Sequence, residues 1–249
     1  MAVGAGIGFL SGLMGKGGSA VTTPVLRVFM HVPRLLALAS PLPATLPTTL
    51  SASFAYARKK MVDRRAVWIT TAWGIPATVL GSFASHWVGG HFLMLLTAVF
   101  VTVLGLSFLF KPVVHTADEE ERVALPVKLG VVAVGVGGLS GLLANSGGIL
   151  FAPLFIRYVG MPTKRALATS LMVSAALAVP GTLTHWYLGN IDWMLALALS
   201  VGALPSSYLG ARLAIRMRNE TLEWVFGALL TAFGLLDFVY TAFHPSWLF

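Results

Sequence analysis

Apolar residues run along this chain in long blocks, and the charged residues fall between them. Residues 66–110 contain no Asp, Glu, Lys or Arg. A bilayer-crossing helix needs about 20 mostly apolar residues. That stretch therefore has room for two such helices, with a turn at Gly89-Gly90. Read this way along its length, the chain has two long opening blocks, 1–30 and 127–158, each interrupted by glycines. Simpler blocks follow each opening: 35–57, 66–88 and 91–111 after the first, and 166–188, 193–213 and 222–243 after the second.

Composition supports a membrane setting. Of 249 residues, 57% are hydrophobic and 10% charged, with a mean hydropathy of +0.83. Soluble domains carry roughly 25% charged residues. The net charge of +8 does not indicate nucleic-acid binding, because most Lys and Arg cap apolar blocks, where positive charge sets membrane orientation. With no cysteine, neither disulfides nor thiolate-bound metals are available. The first residues, MAVGAGIGFL, lack a basic leader and are read as part of the fold.

The chain repeats itself at an offset of 129 residues without gaps. Ser11-Gly12-Leu13 falls on Ser140-Gly141-Leu142, and Ala37-Leu38-Ala39 on Ala166-Leu167-Ala168. Leu80-Gly81 falls on Leu209-Gly210, and Asp63 on Asp192. Pro24, Pro33 and Pro76 fall on Pro153, Pro162 and Pro205. Chance matches of Leu and Ala are common in apolar sequence; a shared frame of prolines and glycines is not. The units are a first repeat, 1–111, a charged cytoplasmic linker, 112–126, and a second repeat, 127–249.

The opening blocks permit two topologies. If each crosses once, eight Lys and Arg lie on either side, Lys16 within the break being set aside. If each enters and returns, only Arg27 and Arg34 lie on one side and the other fourteen lie opposite. The second distribution is the one the positive-inside rule describes. The expected fold is therefore an all-α integral membrane protein of two homologous halves as inverted repeats. Each half is a glycine-broken re-entrant hairpin plus three transmembrane helices.

Broken helices at matching repeat positions point to a transporter's central site. Non-helical backbone at membrane depth is tolerated where it is buried in protein or lines a wet cavity. A half-helix beginning after such a break presents free N–H groups and a positive dipole end, which suit an anion. The candidate substrate-binding residues are Gly15, Lys16, Gly17, Gly18 and Ser19 in the first break, and Asn145, Ser146, Gly147 and Gly148 in the second. The two breaks are expected to meet near the midplane. Lys16 is the one Lys or Arg deep within an apolar block, and burying a cation there is costly without a partner. Alternatively, Lys16 snorkels to a surface.

The block after the first break carries Pro41, Pro43 and Pro47, which kink a helix. Hydroxyls at Ser40, Thr45, Thr169, Ser170 and Ser174 are candidate oxyanion donors, or else they re-satisfy the kinked backbone. Gly4, Gly8 and Gly12, and likewise Gly137 and Gly141, form ladders of the kind that lets helices approach closely. His185 and Asp237, near the outer ends of their blocks, are possible coupling residues. Trp68, Trp87, Trp186 and Trp193 fit an interfacial belt. Gly12-Leu13-Met14-Gly15-Lys16-Gly17 is not a P-loop, because no Ser or Thr follows the Lys. No nucleophile–base pair, dinucleotide fingerprint or metal cluster stands out. The chain is not read as an enzyme, and neither cofactor nor metal is expected.

These motifs resemble the sulfite exporter TauE/SafE family. The resemblance lies in the glycine-rich strings 12–19 running to Pro24 and 141–148 running to Pro153, with KRALATSL (164–171), GNIDW (189–193) and GALPSSYLGARLA (202–214). It covers nearly the whole chain apart from the linker. It implies a secondary exporter of a small anion, a sulfur oxyanion or organosulfonate such as sulfite or sulfoacetate. Lys16 departs from the family pattern, which commonly has a small or apolar residue there. The expected setting is a bacterial or archaeal plasma or inner membrane, crossed several times. The expected partners are the lipid bilayer, the small anionic substrate and a possible homodimer mate, with no nucleic acid. An anion channel and a non-transporting membrane scaffold are the competing readings.

Overall fold

The computed structural model describes residues 2–15, 22, 26, 32, 34–84, 90–110, 119–143 and 148–243. The described residues contain helices and no strand. In chain order the helices are α1 (Ala2–Met14), α2 (Arg34–Ala39), α3 (Pro41–Ala57), α4 (Arg64–Ala84) and α5 (Gly90–Phe110). The second half has α6 (Glu119–Leu142), α7 (Gly148–Arg157), α8 (Thr163–Tyr187), α9 (Trp193–Arg216) and α10 (Asn219–Phe243). The simple blocks read from sequence match α4, α5, α8, α9 and α10 to within a few residues. The block 35–57 is divided at Ser40, where Pro41 and Pro43 follow and cannot donate backbone hydrogen bonds to the preceding turn. The second part of the charged linker is helical, since α6 begins at Glu119 rather than near 127.

Among the described residues, five helical segments are long and apolar enough to cross a membrane: α4, residues 125–142 of α6, α8, α9 and α10. Their outward faces are apolar, with Trp68, Leu80, Val131, Tyr187 and Met194 exposed. In contrast α8 is mostly buried and forms the spine of the molecule. Large apolar side chains presented outward around a buried central helix make this an integral membrane protein.

The helices pack by exchange between the two halves. The closest pairs are α1 with α9, α4 with α6, and α5 with α10, followed by α3 with α9, α3 with α8 and α4 with α8. Under the 129-residue offset, α1–α9 becomes α6–α4, and α3–α9 becomes α8–α4. The pairs α3–α8 and α5–α10 map onto themselves. The correspondence holds residue by residue. A Cβ on Gly12 would lie 1.9 Å from the Ser207 carbonyl oxygen, and one on Gly141 would lie 2.0 Å from that of Thr78. A Cβ on Gly210 would meet the Phe9 oxygen at 2.1 Å, and one on Gly81 the Gly138 oxygen at 2.2 Å. Gly105 faces Thr231 while Gly234 faces Thr102, the same contact read from the other half. Only residues without a side chain let these backbones approach so closely.

The ends of the helices fix direction. Asp63, which begins α4, lies against Thr169 near the start of α8. Asp192, which begins α9, follows the end of α8 and lies against Ser40 at the start of α3. So α4 and α9, one from each half, start from opposite ends of α8. The end near Asp63 also gathers Arg58, Lys59, Lys60, Arg64, Arg65, Lys164 and Arg165. The other end carries the edge-to-face pair Trp186 and Trp193, 5.8 Å between ring centres.

The ladder glycines make a direct test. Gly12→Val and Gly141→Val are expected to abolish recovery of folded, monodisperse protein from detergent. Gly135, whose Cβ would meet nothing within 4 Å, is the control. Gly135→Ala should raise thermal stability, by about 0.5–1 kcal/mol as expected for a glycine within a helix.

Candidate functional site

The two Asp residues that start α4 and α9 build matching corners. The Asp63 backbone N–H donates to Thr169 Oγ1 at 3.1 Å, and Asp63 Oδ1 accepts from the Ala66 N–H at 3.1 Å. The Asp192 N–H donates to Ser40 Oγ at 2.8 Å, and Asp192 Oδ1 accepts from the Leu195 N–H at 3.0 Å. Each Asp is a helix N-cap, satisfying an N–H that the first turn leaves without a partner. Arg165 closes the first corner with a 2.8 Å bond to Asp63. Ser40 and Thr169, read from sequence as oxyanion donors, thus sit at opposite ends of α8, where their oxygens accept from backbone N–H groups.

Gly15 ends α1 in the left-handed region, at φ +65°, which favours glycine. A Cβ there would lie 2.7 Å from Leu167 Cα, so the turn is pressed onto the first turns of α8. Ser170 Oγ donates to the Gly15 carbonyl oxygen at 2.6 Å and is also within 2.9 Å of the Leu167 oxygen. Sequence-predicted Gly15, Thr169, Ser170 and Ser174 are therefore brought together on the first three turns of α8. Ser174 is fully buried, and its hydroxyl has no partner among the described residues. Its repeat counterpart Thr45 lies on α3 and donates to the Pro41 oxygen at 3.1 Å. With Gly4, Thr22, Thr48 and Leu199, Thr45 borders a cavity of about 10 Å³, room for roughly one water.

The break residues Lys16, Gly17, Gly18, Ser19, Asn145, Ser146 and Gly147 lie outside the described residues. Gly148 is described as the first residue of α7, and Asp237 as a position on α10. The helices leading into the breaks end far apart. Gly15 lies beside Leu167, whereas Gly141 near the end of α6 lies 3.4 Å from His185 Nε2. Leu167 and His185 are separated by about 27 Å along α8 at the helical rise. The ends of α1 and α6 thus stand towards opposite ends of α8, and whether the breaks themselves meet lies outside the described residues. His185 is buried, and Nδ1 is 3.5 Å from the Asn190 side-chain amide.

One group went unread in the sequence. Arg157, at the end of α7, donates to the Ser107 carbonyl oxygen on α5, and its guanidinium lies 4.7 Å from the centre of the Phe108 ring. Glu223 on α10 is buried, accepts a hydrogen bond from Thr163 at the start of α8, and interacts with the Arg157 charge. Phe108 packs edge-on against Phe226 with ring centres 5.4 Å apart. This cluster ties the α5–α10 pair to α7 and α8 at the basic end. The signal available was an acid at the first turn of an apolar block, beside an Arg that ends another. The repeat gives no help, because Glu223 and Arg157 fall on Met94 and Val28.

Apolar helices exchanged between the two halves around a buried, hydroxyl-bearing spine define the fold class as a helical integral membrane protein. The chain belongs to the sulfite exporter TauE/SafE family, whose pattern matches residues 1–236. It is 26% identical over 250 residues to the "Probable membrane transporter protein YunE" of Bacillus subtilis (strain 168), covering 91% of this chain and 92% of that one. It is 28% identical over 234 residues to a "Probable membrane transporter protein" of Xylella fastidiosa (strain 9a5c), covering 92% and 90%. A "Probable membrane transporter protein" of the archaeon Methanocaldococcus jannaschii is 24% identical over 249 residues, covering 92% and 90%. No solved structure matches. The chain is thus a multi-pass membrane protein of a transporter family.

The ionic cluster is testable by a double-mutant cycle. Glu223→Leu alone removes the counter-charge of the partly exposed Arg157 and the acceptor of Thr163, and should destabilise by about 1 kcal/mol. Adding Arg157→Met should recover most of that loss, read as the unfolding midpoint in detergent.

Proposed function

We propose that this protein is a secondary transporter that exports a small anion, a sulfur oxyanion or organosulfonate such as sulfite or sulfoacetate, by alternating access. The carrying observation is the exchange of partners at a fixed offset, which gives the two halves equivalent surroundings from opposite ends of α8. In a membrane this corresponds to inverted repeats, with each opening helix and its return arm as a re-entrant hairpin. In the second half, α6 ends beside His185 while α7 ends beside Ser107, at the other end of the molecule. The concentration of Lys and Arg at the Asp63 end supports a cytoplasmic position for that end.

On this reading the anion is held near the midplane between the halves. Break backbone N–H groups and Lys16 supply the positive field for it. Rocking of one half against the other exposes the site to each side in turn. A negative-inside potential favours anion export by about 2.3 kcal/mol per charge per 100 mV, so no proton relay is needed. The membrane is the plasma membrane of a bacterium or archaeon. The exporter class follows the name of the family to which the chain belongs.

The test is flux in proteoliposomes under an imposed potential, offering sulfite, sulfoacetate, thiosulfate and sulfate. Saturable flux of one of them is expected, with Lys16→Ala lowering it at least tenfold, roughly the loss of one charge-assisted contact. Absence of flux for all four anions would overturn the substrate class. Unsaturable flux at channel rates would favour a pore over a carrier.

A further inference from the structure

The seam between α4 and α8 is where hydroxyl groups are buried and left without partners. These two helices run side by side in the same direction. A Cβ on Gly74 would lie 3.1 Å from Leu177 Cδ2, and one on Gly181 would lie 3.9 Å from Thr78 Cγ2. Thr78 is therefore level with Thr182, and one step back Thr70 is level with Ser174. All four residues are buried, and none of their hydroxyl oxygens has a hydrogen-bond partner among the described residues. Eight residues separate the two levels on each helix, about 12 Å at the helical rise. Beyond them the seam runs from the Ser170–Gly15 contact at one end to His185 at the other.

The repeat supplies an internal comparison. In the equivalent seam between α3 and α9, Leu199 stands in the place of Thr70, and Ser207 in the place of Thr78. Ser207 Oγ donates to the Leu204 oxygen at 3.0 Å. Thr48 and Thr49 donate to the Ala44 and Thr45 oxygens at 2.6 and 2.7 Å. Most hydroxyls of that seam are thus closed onto their own helix; Ser51 donates across it to the Leu204 oxygen at 2.8 Å, and Ser53, the counterpart of Thr182, has no partner among the described residues. A buried hydroxyl without a partner is destabilising, and valine fills the same space without that penalty. Open hydroxyls also hold protons to donate, which is what an anion leaving water requires.

We propose that the α4–α8 seam is the anion's path: Thr70 with Ser174, and Thr78 with Thr182, are two successive donor pairs for an oxyanion when the helices part. Neutral donors suit a path, since they replace water around the anion without trapping it as a cation would. This rests on the anion-transport reading and gives that site its residues.

The experiment compares Thr70→Val, Thr78→Val, Ser174→Ala and Thr182→Val, singly and in level pairs, with Thr48→Val and Thr49→Val from the equivalent seam. Sulfite and sulfoacetate flux and thermal midpoint are read for each. The seam pairs should keep or raise the midpoint while flux falls about tenfold or more, as for lost hydrogen bonds to a charged group. The two controls should keep flux within about twofold, as for residues that touch no substrate. Seam pairs that raise the midpoint and keep wild-type flux would overturn the path.

A second readout does not depend on knowing the anion. The chain has no cysteine, so Ser174→Cys and Thr182→Cys carry the only thiol. Labelling by N-ethylmaleimide in native membranes would show that the seam opens; complete protection of both thiols would overturn the proposal even if no tested anion is carried. Slower labelling in sulfoacetate is the expected sign of occupancy.

Discussion

Two backbone approaches govern this molecule, that of α1 to α9 and that of α6 to α4. Each is closer than any side chain allows, and each is lined by glycines whose missing Cβ atoms would strike a carbonyl of the partner helix. Helices in lipid gain little from burying apolar surface against one another, so contact area and close approach carry the association. With α1 and α6 drawn in this tightly, α3 and α8 are enclosed between them and the rest of the core, and α8 becomes the buried spine. The corners at Asp63 and Asp192 then hold the level of α8 against α3, α4 and α9.

That enclosure explains why polar groups concentrate on α3, α4 and α8. On lipid-facing helices hydroxyls mainly fold back onto their own backbone, as Ser200 and Thr102 do. Inside the α4–α8 seam they do not, and the interior there is less completely satisfied than its mirror image. The ionic cluster of Arg157 and Glu223 shows the opposite arrangement, a charge and its counter-charge held at one end by α5, α7, α8 and α10. Repeats equal in backbone have therefore diverged in polarity, and function in such a protein resides in the differences between equivalent positions.

Much of this was legible in the sequence. Gly8, Gly12 and Gly81, which align at the 129-residue offset with Gly137, Gly141 and Gly210, make equivalent contacts in the structure, because close backbone approach fixes them. The block boundaries were legible because charge is expelled from the bilayer. What sequence could not supply was the neighbour of each hydroxyl. Ser40 and Thr169 look like ligand donors along the chain, yet each accepts from the N–H of an Asp more than 100 residues away. Thr70, Thr78 and Thr182 look like ordinary intramembrane hydroxyls until the packing shows them lacking a partner. The separation of the ends of α1 and α6 along α8 was likewise not legible, since helix packing depends on partners that no local pattern reveals.

The pairing scheme is reciprocal. All the extensive pairings among the long helices join one repeat to the other, and α5–α10 is complementary to its own image. This is the relation between subunits of a two-fold dimer, where residue i of one copy meets residue j of the other and the reverse. Each half thus presents to the other the surface that the other presents to it. Because the two halves are parts of one chain, they need not stay identical, and Thr70 and Leu199 are different residues at one position of the 129-residue frame.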